Sequence, residues 1–247
     1  MAASTVPPNN PPVSHHDTSP YVLAVISHKG GTGRTTLAMA LAWLWGQRGL
    51  NVTLVDADPV NAASIVAAGP SGVCPWTNVN LVIAHDGEAH IPLGQDVVII
   101  DTPAATEPLA QKVLNLANGV IVCCLADSLA LYTLPAATQA IQKACTTRPD
   151  LELLGIVVNL FEEADDAQVR CLSFIRDARG GLFVEPPIPL CQDLSDWPLT
   201  PGRDLPDGVA RSSLATLADT FGKMIAEAGW KQFAERKGGQ RAYAAHR

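Results

Sequence analysis

A chain of 247 residues suffices for one α/β domain of ordinary size with a substantial core. With 47% hydrophobic and 17% charged residues it is globular rather than disordered, and no apolar stretch approaches the roughly 20 uncharged residues of a membrane helix. A net charge of −7 excludes a wholly basic nucleic-acid binder.

Residues 1–20 are rich in Pro, Asn, Ser and His, lack a signal-peptide core, and read as a disordered lead-in. Strands are predicted at Tyr21–Ser27, Val52–Asp56, Val79–Ala84, Val97–Asp101, Val120–Leu125 and Leu153–Asn159. Most are continuous Val, Ile and Leu runs, as in a parallel sheet covered on both faces. Helical patterns alternate with them at Thr35–Arg48, Asn61–Ala67, Glu107–Leu116, Leu129–Cys145, Asp165–Ala178 and Ser212–Ala228. This alternation predicts an α/β fold: a doubly wound, mostly parallel sheet with helices on both faces and ligands beyond the carboxyl ends of the strands. Glu185–Gly208, rich in Pro and Asp, reads as a long loop over one edge. The domain is expected over residues 21–230. A basic tail follows over 231–247, with Lys231, Arg236, Lys237, Arg241 and Arg247 against Glu235. The six cysteines show no C-x-x-C spacing, and Cys123–Cys124 lie inside an apolar strand. They read as buried reduced thiols of a cytoplasmic protein.

Three motifs converge. In the first, Lys29-Gly30-Gly31-Thr32-Gly33-Arg34-Thr35-Thr36 lies between a strand and a helix. Converging backbone N–H groups and the helix N-terminus make a phosphate cradle. Gly30, Gly31 and Gly33 permit positive φ and close approach of an anion, and Thr35 places a hydroxyl where it can ligate Mg²⁺. A plain glycine-rich turn would not need the basic residue and paired threonines. In the second, Val52–Asp56 is followed by Ala57-Asp58-Pro59, a buried strand ending in two carboxylates. Ionised carboxylates there need solvent, a metal or a cation. Asp58 is placed to orient a water and Asp56 to hold a water of the Mg²⁺ shell; an Asp-Pro turn with solvated acids is the alternative. The third, Val97–Asp101 before Thr102-Pro103, matches a Walker B strand whose acid supports Mg²⁺ through water.

Lys-Gly-Gly-Thr-Gly-Arg-Thr-Thr resembles the deviant Walker A loop of the ParA/MinD superfamily, in which Lys-Gly-Gly-x-Gly-Lys-Thr/Ser-Thr is usual. Val-Asp-Ala-Asp-Pro and Ile-Ile-Asp-Thr-Pro resemble its second and third motifs, and the likeness spans about residues 21–230. The resemblance implies a P-loop NTPase fold that binds ATP with Mg²⁺ and dimerises face to face around two nucleotides. It implies that Lys29 crosses the dimer to the partner's phosphates, that Asp58 positions the water, and that Thr35 ligates Mg²⁺ with Asp56 and Asp101 behind it. It further implies that Asn159 reads adenine and that Ile188-Pro189-Leu190 begins a loop wrapping the base. Arg34 departs from the pattern. An arginine binds phosphate as a planar fork rather than a point charge, so nucleotide binding is expected more firmly than fast hydrolysis.

The likeness is closest to small ParA-type partition ATPases, because residues 1–20 cannot hold a helix-turn-helix. The function so implied is a weak Mg²⁺-dependent ATPase that forms a homodimer on ATP. The dimer would bind DNA nonspecifically, associate with the nucleoid, and move a plasmid, chromosome region or protein cargo through an adaptor. Candidate DNA contacts are Arg203, Arg211, Lys223, Lys231, Arg236, Lys237 and Arg241. One alternative is a MinD-like membrane-associated regulator anchored by Phe221, Met224, Ile225, Trp230 and Phe233. Another is a switch that binds ATP but hydrolyses it poorly.

Overall fold

The computed structural model describes residues 19–85, 88–103 and 112–235. Six strands form one parallel sheet in the order β3-β2-β4-β1-β5-β6. They are β1 (Tyr21–Ile26), β2 (Val52–Asp56), β3 (Val79–Ile83), β4 (Val97–Asp101), β5 (Gly119–Leu125) and β6 (Glu152–Asn159). The helices are α1 (Arg34–Gln47), α2 (Ala62–Ala68), α3 (Ser128–Thr147), α4 (Asp166–Arg179), α5 (Gln192–Asp196), α6 (Val209–Glu227) and α7 (Gln232–Glu235). The expected Glu107–Leu116 helix falls partly on residues 104–111, outside the described residues; Lys112–Leu114 is helical.

Alternate residues of each strand feed opposite layers, as the period-2 pleat requires. Leu23 and Val25 join α1, α2 and α6 in one apolar layer, whereas Ala24 and Ile26 join α3 and α4 in the other. Every residue of β2 and β4 is buried, which is why these strands are apolar up to their terminal acids apart from Thr53, whose hydroxyl donates to Gln95 Oε1 (2.9 Å). The edge strand β3 is only partly buried. The opposite edge, β6, is covered by the returning chain: Val184 N–H donates to Ile156 O (3.0 Å) and Ile188 N–H to Val158 O (2.8 Å). That contact removes an open strand edge.

The chain runs from β1 to β2 toward one edge and from β4 across β1 to β5 toward the other. A crevice therefore opens above the carboxyl end of β1. Helix α1 begins at that end and is buried on nearly all sides, between the sheet and α6. Its far end is closed by Gly49 in the left-handed region (φ 87°) and by Arg48, which donates to Ala215 O (3.2 Å) and pairs with Asp219 (3.3 Å).

Two expectations are corrected. Glu185–Gly208 is not a plain loop, since it holds α5 and a 3₁₀ turn at Trp197–Leu199. Leu194, Trp197 and Leu205 anchor it in the core. Trp197 stacks on Trp76 (5.6 Å between centroids), and both indoles donate to Arg203 O (3.0 and 2.9 Å). The proposed apolar anchor is not available to a membrane either. Phe221, Ile225, Trp230 and Phe233 are buried, with Met224 partly buried against the same core. Trp230 and Phe233 meet Tyr21 edge to face at 5.1 and 6.2 Å, and Phe233 meets Trp45 at 5.2 Å. The folded body thus continues past residue 230. No helix among the described residues is long and apolar enough to cross a membrane.

This packing makes the C-terminal segment part of the fold. Phe233→Ala and Trp230→Ala are each expected to lower unfolding free energy by about 3–5 kcal/mol. Urea denaturation of the two variants checks this; unchanged midpoints would contradict the aromatic cluster's role.

Candidate functional site

The glycine loop leaves β1 through Ser27 and enters α1 at Arg34. Gly31 (φ 76°) and Gly33 (φ 77°) take the left-handed conformation, but Gly30, expected to do so, does not. Gly33 has a second constraint: a β-carbon there would lie 1.9 Å from Asn159 Nδ2. Asn159, buried at the end of β6, braces the loop from below. Its amide donates to Thr32 O (3.0 Å), and its Oδ1 accepts from Leu160 N–H (2.8 Å), where Leu160 itself has φ 53°. The Cys123 thiol, 3.3 Å from the same Thr32 carbonyl, completes the support. Both ends of the Asn159 amide are thus engaged by protein groups. Ile188-Pro189-Leu190 runs beside the residues just after β6, with Phe161 N–H donating to Ile188 O (3.0 Å) and Leu190 N–H to Phe161 O (2.9 Å).

Two cations mark the loop, and each is held by carboxylate. Lys29 Nζ lies 2.8 Å from Asp127 Oδ2, with the two side chains 40% and 33% exposed. Asp127 also caps α3 by accepting from Ala130 N–H (2.8 Å). Burial opposes ionisation there, yet Lys29 and the Ala130 N–H hold the Asp127 carboxyl below the usual range. Arg34 is buried and points inward. Nη1 donates to Ser27 Oγ (2.8 Å), Nη2 to Asp58 Oδ2 (3.0 Å), and Nε lies 3.4 Å from Asp101 Oδ1. Ser27 Oγ in turn donates to Lys29 O (2.9 Å).

The three strand-end acids divide their work. Asp56, fully buried, accepts from Ser64 N–H (2.7 Å) and Asp58 N–H (3.3 Å), so it holds the start of α2. Burial raises its pKa, and those N–H groups pull it back. Asp58 accepts from Val60 N–H (3.0 Å) with its other oxygen. Asp101 has no exposed surface, and neither oxygen receives a hydrogen bond of ordinary geometry. Burial pushes its carboxyl up to about 7; Arg34 and the Thr35 hydroxyl oppose that rise, while Asp56 and Asp58 add to it.

This donor set fits Mg²⁺. Its members are oxygens, Asp101 is a buried acid lacking ordinary hydrogen bonds, and Thr35 is half-buried beside it. Among the described residues no group of three or more His, Cys, Asp or Glu forms a self-sufficient metal cage. Mg²⁺ does not need one, because it is commonly held by one or two carboxylates together with substrate phosphates. Thr36 follows Thr35, half-buried, in the first turn of α1.

The candidate DNA residues differ in their surroundings. Arg203, Lys223 and Lys231 are exposed. Lys231 lies near the opposite end of the sheet from the glycine loop, where its neighbour Gln232 donates to Asp96 O (3.3 Å) before β4. Arg211 pairs with Asp207 and stacks over Trp43 (4.6 Å), so it is part of the fold. Arg236, Lys237 and Arg241 lie outside the described residues.

Sequence reasoning missed Ser27, Asp127 and the bracing role of Asn159. Asp127 was legible as a helix cap, in Asp127-Ser128-Leu129-Ala130 after an apolar strand. The other two depend on contacts distant in sequence or hidden beneath the loop.

Residues 23–201 match the family model described as the CobQ/CobB/MinD/ParA nucleotide binding domain. The chromosome-partitioning ATPase Soj of Thermus thermophilus is 26% identical over 172 residues, covering 57% of this chain and 69% of Soj. Among solved structures, cobyrinic acid a,c-diamide synthase from Mycobacterium smegmatis, with bound ATP analog and magnesium, superposes with a TM-score of 0.66. It has 21% identity and covers 85% of this chain and 97% of its own. The septum site-determining protein MinD of Pyrococcus horikoshii, complexed with Mg-ADP, gives 0.63 at 18% identity, covering 85% and 98%.

Folded Asp101 keeps its proton up to about pH 7, whereas the unfolded carboxyl ionises near 3.8. Raising pH through that window therefore favours unfolding, and the lost stability does not return above it. Urea titrations with a chelator present are expected to show Asp101→Asn gaining stability relative to wild type from pH 4 to 7, then levelling. A constant difference across that range would contradict the assignment.

Proposed function

The chain belongs to the CobQ/CobB/MinD/ParA nucleotide-binding family, and on that footing we propose that it is a ParA-type ATPase switch. Two copies would close face to face around two nucleotides held with Mg²⁺. The dimer binds DNA through phosphate contacts, and an adaptor protein links it to a plasmid, chromosome region or protein cargo. The observation that carries this reading is the half-exposed Lys29 at the head of the glycine loop, held by a surface carboxylate. An exposed pair of this kind is worth about 1 kcal/mol or less, so the ammonium is readily handed to a stronger anion. Soj, a named chromosome-partitioning ATPase, supports the partition branch, and the nucleotide and magnesium in the two structural neighbours support the ligands.

In this reading the N–H groups of Gly31, Thr32 and Gly33 bind phosphate oxygens, and Arg34 and Thr36 flank them. Thr35, with Asp101 and Asp56 behind it, holds Mg²⁺, which supplies charge neutralisation for the phosphates when bound. Asp58 orients the attacking water. Lys29 of one copy approaches the phosphates of the other and stabilises charge that develops in the transition state. Asn159 and Pro189 flank the base. The carrier works in the cytoplasm on the nucleoid, with Arg203, Lys223 and Lys231 as its DNA contacts together with Arg236, Lys237 and Arg241. A second reading, an ATP-binding switch with little turnover, is favoured by one feature: Arg34 is engaged by Ser27 and Asp58.

DNA retardation should require ATP and Mg²⁺ and weaken steeply with salt, because the affinity comes from neutralised phosphates. No shift at low salt would overturn the carrier model. Lys29→Ala should still bind ATP while losing on the order of 10³-fold in DNA- and adaptor-stimulated hydrolysis, the scale of a residue inserted in trans. Unchanged turnover would remove Lys29 from the chemistry.

A further inference from the structure

Arg34 makes contacts with protein groups that a phosphate ligand does not explain. Its side chain is 10% exposed, and its three nitrogens reach three separate groups: Ser27 Oγ, Asp58 Oδ2 and Asp101 Oδ1. The two acids come from different strand ends, and Asp101 has no access to water. When Asp101 is ionised, a carboxylate so placed requires a cation close by, and the guanidinium is the one beside it. The fork geometry matters. A lysine offers one compact ammonium and cannot bond Ser27 and Asp58 through separate nitrogens while lying beside Asp101.

We infer that Arg34 and a divalent cation are alternative counter-ions of Asp101, so that this acid is closed to metal until nucleotide draws Arg34 away. The inference rests on the proposed reading of Asp101 as part of the Mg²⁺ side of a nucleotide site. Two cations on the same buried acids repel at short range, where screening is weak. A metal ion alone offers Arg34 no new partner. A nucleotide does: Arg34 is the first residue of α1, directly after Gly33. A change of side-chain rotamer transfers its charge from the acids to phosphate oxygens without moving the helix. Nucleotide and metal therefore load together, and the arginine at a position usually held by lysine is a resident counter-ion as well as a phosphate ligand.

The test uses the full chain, nucleotide-free, with Mn²⁺ as a paramagnetic probe of the site. Wild type is expected to show no specific Mn²⁺ binding until ADP is added. Arg34→Ala should bind Mn²⁺ without nucleotide about tenfold more tightly or better, because the competing charge is gone. At pH 8, where Asp101 is ionised in the wild type, the same variant should melt roughly 10 °C lower and recover part of that loss with Mg²⁺ but not with equal ionic strength of NaCl. Should Arg34→Ala fail to fold, the ¹⁵Nε resonance of Arg34 in wild type decides. It is expected to ignore Mg²⁺ alone and to shift with Mg²⁺ plus ADP. Equal Mn²⁺ affinity of wild type and variant, or an Arg34 resonance that moves with Mg²⁺ alone, overturns the inference. Failure of DNA binding or dimerisation would instead sink the carrier reading and leave these results standing.

Discussion

The crevice depends on one buried charge. Parallel strands β2 and β4 are apolar on both faces and carry acids only at their carboxyl ends, so the sheet delivers Asp56, Asp58 and Asp101 to one small volume beside the glycine loop. Three neighbouring carboxylates with little water cannot all ionise unaided. Asp56 is answered by two backbone N–H groups, and Asp58 and Asp101 by Arg34. The position of α1 follows from the same requirement. Its first residue must stand over the acids, and its remaining length, with Trp43 and Trp45, is fixed by burial against α6. Packing at one end of the helix therefore sets electrostatics at the other.

The loop is rigid for a related reason. Gly33 leaves room for the Asn159 amide, which takes the Thr32 carbonyl, while Cys123 fills the space beneath. A braced loop presents its N–H groups without reorganisation, which is the condition for strong anion binding at a helix N-terminus. Asn159 can serve this purpose because β6 is an edge strand whose end is free to turn at Leu160, and the Ile188–Leu190 segment then closes over that turn.

Much of this was legible in the sequence. Continuous apolar runs gave the strands, helical patterns between them gave the two-layer cover, and the glycine loop with its acids located the crevice. What was not legible depended on tertiary contact. Glu185–Gly208 reads as a loop because Pro and Asp punctuate it, yet Trp76 and Trp197, far apart in sequence, meet over one carbonyl and fold it down. Trp230 and Phe233 read as an amphipathic anchor because their partners, Tyr21 and Trp45, belong to the opposite end of the chain. The inward turn of Arg34 is the same kind of case. The residue is visible as an exception to a motif, but its direction is decided by Ser27, Asp58 and Asp101 together.

The two loop cations differ in how easily they can leave. Lys29 and Asp127 are both partly exposed, so water can take over from either partner and separation costs little. Arg34 is buried against an acid that water does not reach, so removing it without replacement either leaves that charge uncompensated or forces the carboxyl to take up a proton. A ligand that brings phosphate alone can recruit Lys29 but would strand Asp101. A ligand that brings phosphate and a divalent cation satisfies both sides, offering Arg34 a new anion and Asp101 a new cation. The asymmetry between an exposed pair and a buried one thus derives from the burial of a single strand-end aspartate.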